Sequence, residues 1–368
     1  MSVPSTVDSL FWRGKNVFLT GHTGFKGGWL ALWLNSMGAN VTGYGLEPNT
    51  SPSFFETARV YTALKKSVIA DIRDLGALQN AMSDSEPDVV IHMAAQPLVR
   101  ASYQFPVETY ATNVMGTVHL LESARQIKKL KATVIVTTDK CYQNKEWEWG
   151  YRESDALGGD DPYSSSKGCA EIVTAAYRRS FFSKEDFQSG RHCNLIASAR
   201  AGNVIGGGDW SLDRLIPDAI KAFVADQPLT LRNPDAVRPW QHVLDPLSGY
   251  LILAQALYNQ GVDYASSWNF GPSDNDSRTV GELVDVLAAY WPHRATWCRE
   301  EGFQPHEANL LRLDCAKAKW KLGWVPGWSL EIAVKKIVAW HEAYSAGLDM
   351  KEFSLNQIKE YVNREVQG

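Results

Sequence analysis

The sequence lacks the features that mark membrane, nucleic-acid-binding and secreted proteins. It has no uninterrupted apolar stretch of roughly 18 residues, which argues against a membrane-spanning helix. It has no long basic run, and its formal net charge is −4, so we expect no nucleic-acid partner. Residues 1–13 contain Asp8, one basic residue and no apolar core, which argues against a secretory signal and favours a cytoplasmic location.

Cysteine is also scarce. The five cysteines are an odd number and include no Cys-x-x-Cys pair, which argues against a disulfide framework and against a structural zinc site. Cys141 lies beside the polar segment described below, but no histidine stands near it in the sequence. We therefore interpret Cys141 as a small packing residue, and we expect no metal ion.

What the sequence does contain, up to about residue 200, is an alternation of short apolar strands and helices. Strands are predicted at residues 16–20, 40–45, 67–70, 88–92, 132–137 and 193–198, and helices at 29–37, 107–128 and 161–182. Short apolar strands separated by helices form a parallel sheet that is covered on both faces. We therefore predict an α/β fold with a Rossmann-type doubly wound parallel sheet, which binds ligands at the carboxyl ends of its strands.

This alternation breaks after about residue 200, where Pro, Gly and Trp become frequent and the helix signals become irregular. Amphipathic helices are still predicted at residues 280–289 and 330–343. We expect residues 1–200 to form a dinucleotide-binding domain, with a return segment near 238–268. Residues 201–368 should form mainly a smaller C-terminal substrate-binding domain.

A glycine loop joins the first predicted strand to the first helix. Gly21, Gly24 and Gly27 have the spacing G-x-x-G-x-x-G. Glycine lets the backbone approach a pyrophosphate closely, and the helix that follows offers free N–H groups to the anion. At this position in a doubly wound sheet, the loop predicts a dinucleotide site rather than a plain turn.

The charged residues around this loop depart from the usual pattern for NAD. The second strand should end in an acidic residue that holds the ribose, but Glu47 is the first carboxylate. His22 and Lys26 place positive charge in the loop, where they would hold the pyrophosphate or the extra phosphate of NADP, unless they are simply exposed polar residues. Asp71, at the end of the third strand, would suit the adenine amino group.

Polar residues follow the fifth predicted strand. Thr138, Asp139 and Lys140 come first, and Tyr163 and Lys167 then share one helix face. A nearby ammonium lowers the pKa of a phenol, so we expect Tyr163 to accept a hydroxyl proton during hydride transfer. An acid and an amine beside this dyad suggest an elimination as well, although Asp139 and Lys140 alone would read as a solvated ion pair.

Several of these motifs resemble the extended short-chain dehydrogenase/reductases. They are Gly21-x-x-Gly24-x-x-Gly27, Tyr163-x-x-x-Lys167, HMAAQ at residues 92–96 and YATNVMGT at residues 110–117. The more specific segments are TDKCY at 138–142, RNP at 232–234 and RPWQHV at 238–243, which resemble the nucleotide-sugar 4,6-dehydratases, most of all those acting on CDP-glucose. The similarity runs from about residue 14 to about residue 345. Lys140 departs from this class, which usually has Glu at that position.

The resemblance implies an NAD-dependent lyase that converts CDP-glucose to CDP-4-keto-6-deoxyglucose for deoxysugar and O-antigen biosynthesis. In such an enzyme Tyr163 takes the proton of the 4-hydroxyl and Lys167 holds the nicotinamide ribose. Thr138 binds the C4 oxygen, Asp139 protonates the departing 6-hydroxyl, and Lys140 removes the C5 proton. The last two roles require a raised pKa for Asp139 and a lowered pKa for Lys140.

Two sets of ligand contacts are expected. The cofactor should contact Gly21, His22, Gly24, Phe25, Lys26, Gly27, Asp71, Ile72, Ala94, Ala95, Gln96, Thr137, Tyr163 and Lys167. The nucleotide sugar should contact Gln96, Asn203, Arg214, Arg232, Arg238 and His242, with residues 229–232 reading the base. A guanidinium matches phosphate oxygens in pairs, so Arg238 is the first candidate for a diphosphate clamp and Arg214 the second.

Other functions and the assembly stay open on the sequence alone. The chain could be a 4,6-dehydratase or a 4-epimerase for another nucleotide sugar, but an epimerase has no use for the Asp139–Lys140 pair. A nucleotide-sensing protein without catalysis would be expected to lack Tyr163 or Lys167. The helices at 107–128 and 161–182 predict a four-helix homodimer interface, or a dimer of dimers, and the displaced carboxylate predicts weaker NAD binding than in relatives.

Overall fold

The computed structural model describes residues 6–300 and 310–364. Residues 1–5 of the N-terminal segment, and residues 301–309 and 365–368 of the expected substrate domain, lie outside the described residues. The strands are β1 (Asn16–Thr20), β2 (Asn40–Gly45), β3 (Lys66–Ile69), β4 (Val89–His92), β5 (Ala132–Val136), β6 (Leu195–Ala201), β7 (Val204–Ile205), β8 (Leu229–Leu231), β9 (Val237–Pro239), β10 (Gln241–His242), β11 (Ser267–Phe270), β12 (Ser277–Thr279) and β13 (Trp297–Arg299).

The helices surround these strands. They are α1 (Ser9–Trp12), α2 (Phe25–Ser36), α3 (Phe54–Thr57), α4 (Leu75–Ser85), α5 (Val99–Gln104), α6 (Pro106–Tyr110), α7 (Gly116–Arg125), α8 (Pro162–Ser180), α9 (Lys184–Gln188), α10 (Leu215–Val224), α11 (Leu244–Gln260), α12 (Val280–Tyr290), α13 (Ala316–Leu322), α14 (Leu330–Ser345) and α15 (Met350–Arg364). None of the described helices is long and apolar enough to cross a membrane.

A seven-stranded parallel sheet forms the centre of the fold, and it confirms the predicted architecture. The strand order is β11-β6-β5-β4-β1-β2-β3, and every neighbouring pair is parallel. The chain runs outward from β1 in both directions, so a crevice opens between the carboxyl ends of β1 and β4. Strands β4 and β5 are buried along their whole length, because helices cover both faces of the sheet.

Two predicted helices differ from those in the structure. Helix α2 begins at Phe25, inside the glycine loop, rather than at residue 29. The predicted helix at 107–128 contains a π-helical turn, Ala111–Met115, between α6 and α7, and it ends at Arg125. At this turn the Asn113 side chain donates to Gln96 O at 3.1 Å and to Ser166 Oγ at 2.9 Å. These bonds depend on tertiary contacts, so local periodicity could not predict the wider turn.

Helix α11 is regular, contrary to the irregular helices expected after residue 200. Its residues 244–257 are all buried, and it packs against β5 and β6. A helix that is apolar on every side shows no amphipathic period, which is why the sequence pattern missed it. It leads into β11, which pairs with β6 and adds the seventh strand.

A second apolar cluster lies outside the sheet. Its buried members include Ile216 of α10, Leu229 of β8, Leu283 of α12 and Val334 of α14. This cluster holds α10 and β8 together as one wall of a crevice whose other wall is the carboxyl edge of the sheet.

Candidate active site

A cavity of about 600 Å³ lies at the carboxyl edge of the sheet. The glycine loop and the residues after β2, β3, β4 and β5 line one part of it. Residues 201–218 and 229–240 line another part, and Tyr163 and Lys167 of α8 also face it. The cavity therefore brings together most of the groups that the sequence placed in separate motifs.

The glycine loop packs tightly at the end of β1. Gly21 has φ +77°, and a Cβ there would stand 2.8 Å from the Ala94 nitrogen. A Cβ on Gly27 would stand 2.0 Å from the Gly21 carbonyl oxygen. Gly24 is the N-cap of α2, with no side chain bonded to the first turn. Gly24, Phe25 and Lys26 line the cavity, so this cradle with its uncapped helix N-terminus fits a dinucleotide pyrophosphate.

Lys26 lines the cavity and lies near enough to Lys167 and Asp139 for their charges to influence its pKa. Its Nζ donates to the Tyr250 hydroxyl at 3.2 Å. Burial, together with the positive charges of Arg214 and Lys167, lowers the pKa of Lys26 to about 7. An anion beside Lys26 would restore its charge, so the ammonium suits a pyrophosphate oxygen.

His22 does not line the cavity. The prediction that this residue carries a positive charge is corrected. The ring is fully buried, and Nε2 lies 2.7 Å from Ser67 Oγ. The ring packs so closely over Gly43 that a Cβ there would stand 2.4 Å from it. Burial lowers the pKa of His22 to about 4, so the imidazole is neutral and offers no charge to a phosphate of NAD or NADP.

Two carboxylates line the adenosine side of the cavity. Glu47 lies just after β2 and Asp71 just after β3. Asp71 accepts from Arg73 Nε at 2.9 Å, and this bond holds the pKa of Asp71 below its usual value. Glu47, two residues after the end of β2, is the first carboxylate beyond that strand.

Thr138 and Asp139 form a buried pair after β5. Thr138 Oγ1 donates to Asp139 Oδ1 at 3.0 Å and accepts from the Lys140 nitrogen at 3.3 Å. Asp139 Oδ2 is buried and has no hydrogen-bond partner among the described residues. Burial raises the pKa of Asp139, although Lys140, Thr138 and Arg238 oppose the rise. A carboxyl in this setting retains its proton more readily, as a general acid must.

Tyr163 and Lys167 are both buried on α8. Burial raises the pKa of Tyr163 to about 12, while a hydrogen bond with Thr138 and the charge of Arg214 oppose the rise. Burial lowers the pKa of Lys167 to about 8, and its Nζ donates to Val136 O at 3.4 Å. The expected lowering of the phenol pKa by Lys167 is therefore corrected, because loss of solvation outweighs the Thr138 hydrogen bond and the charge of Arg214.

A buried ion pair lies behind this dyad, and the sequence analysis missed it. Arg200 Nη2 stands 2.7 Å from Glu171 Oε2, and both side chains are at most 2% exposed. Glu171 also accepts from Thr137 Oγ1 at 2.5 Å and from Ser198 Oγ at 2.7 Å. Glu171 therefore ties α8 to the ends of β5 and β6. Its position four residues after Lys167, on the same helix face, was the available signal.

Four of the residues expected to bind the nucleotide sugar line the cavity: Asn203, Arg214, Arg232 and Arg238. Arg214 Nε is buried without a hydrogen-bond partner among the described residues. A buried guanidinium donor without an acceptor suits a phosphate oxygen of a ligand. Arg238 is close enough to Asp139 to influence its pKa.

Gln96 does not line the cavity, and its side-chain amide is occupied elsewhere. Gln96 Nε2 donates to Thr109 Oγ1 at 2.9 Å and to Leu98 O at 3.1 Å. Its Oε1 accepts from the Leu98 nitrogen at 2.5 Å. The structure therefore uses this side chain to shape the segment after β4, not to contact a ligand.

His242 also lies outside the cavity. Its ring is fully buried, with its centroid 4.6 Å from that of Trp328 and 6.2 Å from that of Trp29. The predicted substrate contact by this side chain is corrected, because the ring packs in the aromatic core beneath the cavity.

The cavity has further polar lining residues that the sequence analysis did not single out: Asn49, Arg73, Arg100, Asp209, Asp213 and Asp218. They come from separate segments, and no local motif marks them. Cys141 is buried, and burial raises the pKa of its thiol well above the ordinary value, as expected of a packing residue. Within residues 6–300 and 310–364, no group of three or more His, Cys, Asp or Glu side chains is placed to hold a metal ion.

Comparisons with known proteins indicate the family of this chain. The family model described as GDP-mannose 4,6-dehydratase matches residues 18–337. CDP-glucose 4,6-dehydratase of Salmonella typhimurium is 53% identical over 357 residues, which cover 97% of this chain and 99% of that protein.

Solved structures share the fold at lower identity. UDP-glucose 4-epimerase from Thermotoga maritima has a TM-score of 0.76 at 20% identity, covering 90% of this chain and 99% of that chain. UDP-glucuronic acid 4-epimerase from Bacillus cereus, solved in complex with UDP-glucuronic acid and NAD, has a TM-score of 0.75 at 22% identity, covering 89% and 99%.

Proposed function

Because the chain belongs to the GDP-mannose 4,6-dehydratase family and is a nucleotide-sugar 4,6-dehydratase, we propose that it converts CDP-glucose to CDP-4-keto-6-deoxyglucose. The observation that carries this proposal is the shared cavity, which is lined both by Thr138, Asp139, Lys140 and Tyr163 and by the glycine loop. The 53% identity to the Salmonella typhimurium enzyme supports CDP-glucose as the substrate.

NAD is the proposed cofactor, and the glycine cradle fits it. The N–H groups at the start of α2 and the ammonium of Lys26 would hold the pyrophosphate, and Glu47 and Asp71 would hold the adenosine part. When bound, NAD would accept a hydride from C4 of the sugar and later return it to C6, so no cofactor is consumed. Weaker NAD binding than in relatives stays a prediction.

Tyr163 is the proposed base for the oxidation at C4. The phenol accepts the proton of the 4-hydroxyl as hydride leaves C4. Burial raises the pKa of Tyr163 to about 12, so the phenolate needs support from nearby groups. A hydrogen bond with Thr138 and the charge of Arg214 favour the phenolate.

Asp139 and Lys140 are the proposed pair for the elimination. Once C4 is a ketone, the C5 proton becomes acidic because the carbanion is delocalised into the carbonyl group. Lys140 accepts that proton, and Asp139 donates its own proton to the departing 6-hydroxyl, which leaves as water, so that a C5=C6 double bond forms. Lys140 returns its proton to C5 when C6 receives the hydride. Tyr163 and Asp139 regain their starting protonation states by exchange with solvent. The raised pKa of Asp139 supports this assignment, since the carboxyl must hold a proton when the substrate binds.

The substrate is tested with a panel of nucleotide sugars. Purified protein is incubated with CDP-, dTDP-, UDP- and GDP-glucose, and the products are analysed by mass spectrometry and NMR. We expect kcat/KM for CDP-glucose to exceed the others by about 100-fold or more, since a polar site rejects a mismatched base strongly.

Each other outcome of this panel contradicts a part of the proposal. A keto product from another nucleotide alone would make the substrate assignment wrong. Epimerisation at C4 without loss of water would favour the epimerase alternative. No turnover of any sugar, with nucleotide binding intact, would favour a nucleotide-sensing protein.

Several finer expectations remain predictions. They are the cytoplasmic location, the place of the product in deoxysugar and O-antigen biosynthesis, and the binding of sugar mainly by residues 201–368. The lining of the cavity by residues 201–218 and 229–240 supports the last of these.

We also propose a homodimer formed by the helices around residues 99–125 and 162–180. Tyr103 of α5, Val107 of α6, Met115 of the π turn and Ile172 of α8 are exposed by 61%, 83%, 47% and 58%. These helices pack against each other, so the exposed apolar side chains belong to one helical layer. Such a surface favours a partner, and a second copy would bury it symmetrically.

Replacing Ile172 with Asp should dissociate this dimer. A carboxylate would be buried opposite its own copy across the symmetric interface, which is costly. Light scattering after gel filtration should show the mass falling from twice 41.0 kDa to 41.0 kDa. Val325→Asp is the matched control, since Val325 is also 58% exposed but lies outside these helices. A wild-type protein of 41.0 kDa would contradict the proposed dimer.

A further inference from the structure

The cavity extends past the catalytic residues into a slot between α10 and β8. Ile216 and Asp218 line it from α10, and Leu229 and Leu231 line it from β8. The apolar members belong to one buried cluster, so the slot offers apolar walls of the kind that flank a flat aromatic ring.

The charged residues along α10 indicate the order in which the sugar, the diphosphate and the base of a bound nucleotide sugar lie. Arg214 is close enough to Tyr163 to influence its pKa, which places Arg214 beside the reacting sugar and suits it to the diphosphate. Asp218 lies one helical turn further, with its backbone N–H donating to Arg214 O at 3.0 Å. The charge of Arg232 lowers the pKa of Asp218, so these two side chains lie near each other. If the sugar is at Tyr163 and the diphosphate is at Arg214, the base lies at the level of Asp218 and Arg232.

Asp218 is a half-buried carboxylate in the first turn of α10, and it lines the cavity. Burial raises the pKa of its carboxyl and the negative charge of Asp213 raises it further, while Arg232 and Lys221 oppose the rise. No described residue donates a hydrogen bond to this carboxylate. A partly desolvated carboxylate is stabilised most by a donor placed against it, and in the slot that donor would come from the ligand.

Cytosine and uracil differ in the group that they present to such an acceptor. Cytosine carries an amino group at C4, which donates hydrogen bonds, whereas uracil and thymine carry a carbonyl oxygen there, which only accepts. A carboxylate would bond the amino group and repel the carbonyl oxygen, so a single residue would both favour one base and reject the others. Arg232 offers guanidinium donors at the same level, which match the O2 and N3 acceptors of cytosine.

We propose that Asp218 determines the base specificity by accepting a hydrogen bond from the C4 amino group of cytosine. The proposal rests on the proposed function, because it concerns the base of the CDP-sugar substrate. Asp218 is assigned a contact with the base and no part in the hydride transfer or the elimination.

The test compares Asp218→Asn and Asp218→Ala with the wild type. Dissociation constants of CDP and UDP are measured by calorimetry, and kcat and KM are measured with CDP-glucose. We expect the preference for CDP over UDP to fall by about 10- to 100-fold in both variants, as loss of a charge-assisted hydrogen bond predicts. The loss with CDP-glucose should appear in KM. Because both nucleotides are titrated into the same sample, the fraction of folded protein cancels from the preference.

Asp235→Asn is the matched control. Asp235 is exposed, pairs with Arg299 at 2.7 Å, and does not line the cavity, so its loss should leave the CDP/UDP ratio unchanged. An unchanged ratio in both Asp218 variants would overturn the inference. If the wild type turns over no CDP-glucose, the proposed function is wrong, but the nucleotide titrations still test the role of Asp218. Variants that keep the preference for CDP over UDP exclude the contact between Asp218 and the base. Variants that lose this preference support the contact.

Discussion

Replacing Tyr163 with Phe should lower kcat by about 10³-fold, because proton transfer by a positioned side chain contributes on this scale. Phenylalanine preserves the buried ring but has no oxygen to accept the 4-hydroxyl proton, so the reaction stops before C4 is oxidised. A single-turnover experiment with stoichiometric NAD should show no reduced cofactor at its characteristic absorbance. The expected loss therefore falls on the first chemical step.

Tyr177→Phe is the control for this experiment. Tyr177 lies on the same helix, but its hydroxyl donates to Glu122 at 2.7 Å and it does not line the cavity, so this variant should reduce the cofactor at the wild-type rate. Rapid cofactor reduction by Tyr163→Phe would remove Tyr163 from the role of base.

Replacing Lys140 with Ala should separate oxidation from elimination. Hydride transfer from C4 remains, because Tyr163 and Lys167 are intact, but no group is left at this position to take the C5 proton. We expect reduced cofactor to accumulate, dehydration to slow by about 10²- to 10⁴-fold, and exchange of the C5 proton with deuterated solvent to slow in parallel. NMR of the sugar recovered after a single turnover measures the exchange.

Lys145→Ala is the matched control, since Lys145 lies in the segment that follows the triplet, over the ring of Trp147, and does not line the cavity. Exchange at the wild-type rate in Lys140→Ala would show that another group is the C5 base. Slow oxidation together with slow exchange would instead mean that Lys140 supports the first step, for example by stabilising the phenolate of Tyr163.

The sheet could be predicted from the sequence because its strands are short, apolar and separated by helices. Strands β1 and β2 have the bounds that were predicted, and the other strands predicted before residue 200 differ by one to three residues at one or both ends. Strand β11 could not be placed in this way, because it pairs with β6 across more than sixty residues of chain. The π turn at Ala111–Met115 likewise depends on side chains that Asn113 meets only in the folded protein.

The candidate site likewise has parts that the sequence could predict and parts that it could not. The glycine loop and the Thr138–Lys140 triplet were recognisable because each motif is contiguous and follows directly from a strand, so its backbone position is set locally. Their side chains line the cavity, with the exception of His22. The backbone of such a motif is therefore predictable, whereas the direction of each side chain within it is not.

Burial and long-range partners decided everything that depends on side-chain direction and charge. The His22 ring packs against Gly43, and the Gln96 side chain is hydrogen-bonded to Thr109. The His242 ring packs against Trp29 and Trp328. The raised pKa of Asp139 has the same origin, since it follows from removal of the carboxyl from water. Desolvation depends on atoms that are distant in the chain, so local sequence determined which chemical groups stand at the strand ends, and tertiary packing determined which of them reach the cavity and in what protonation state.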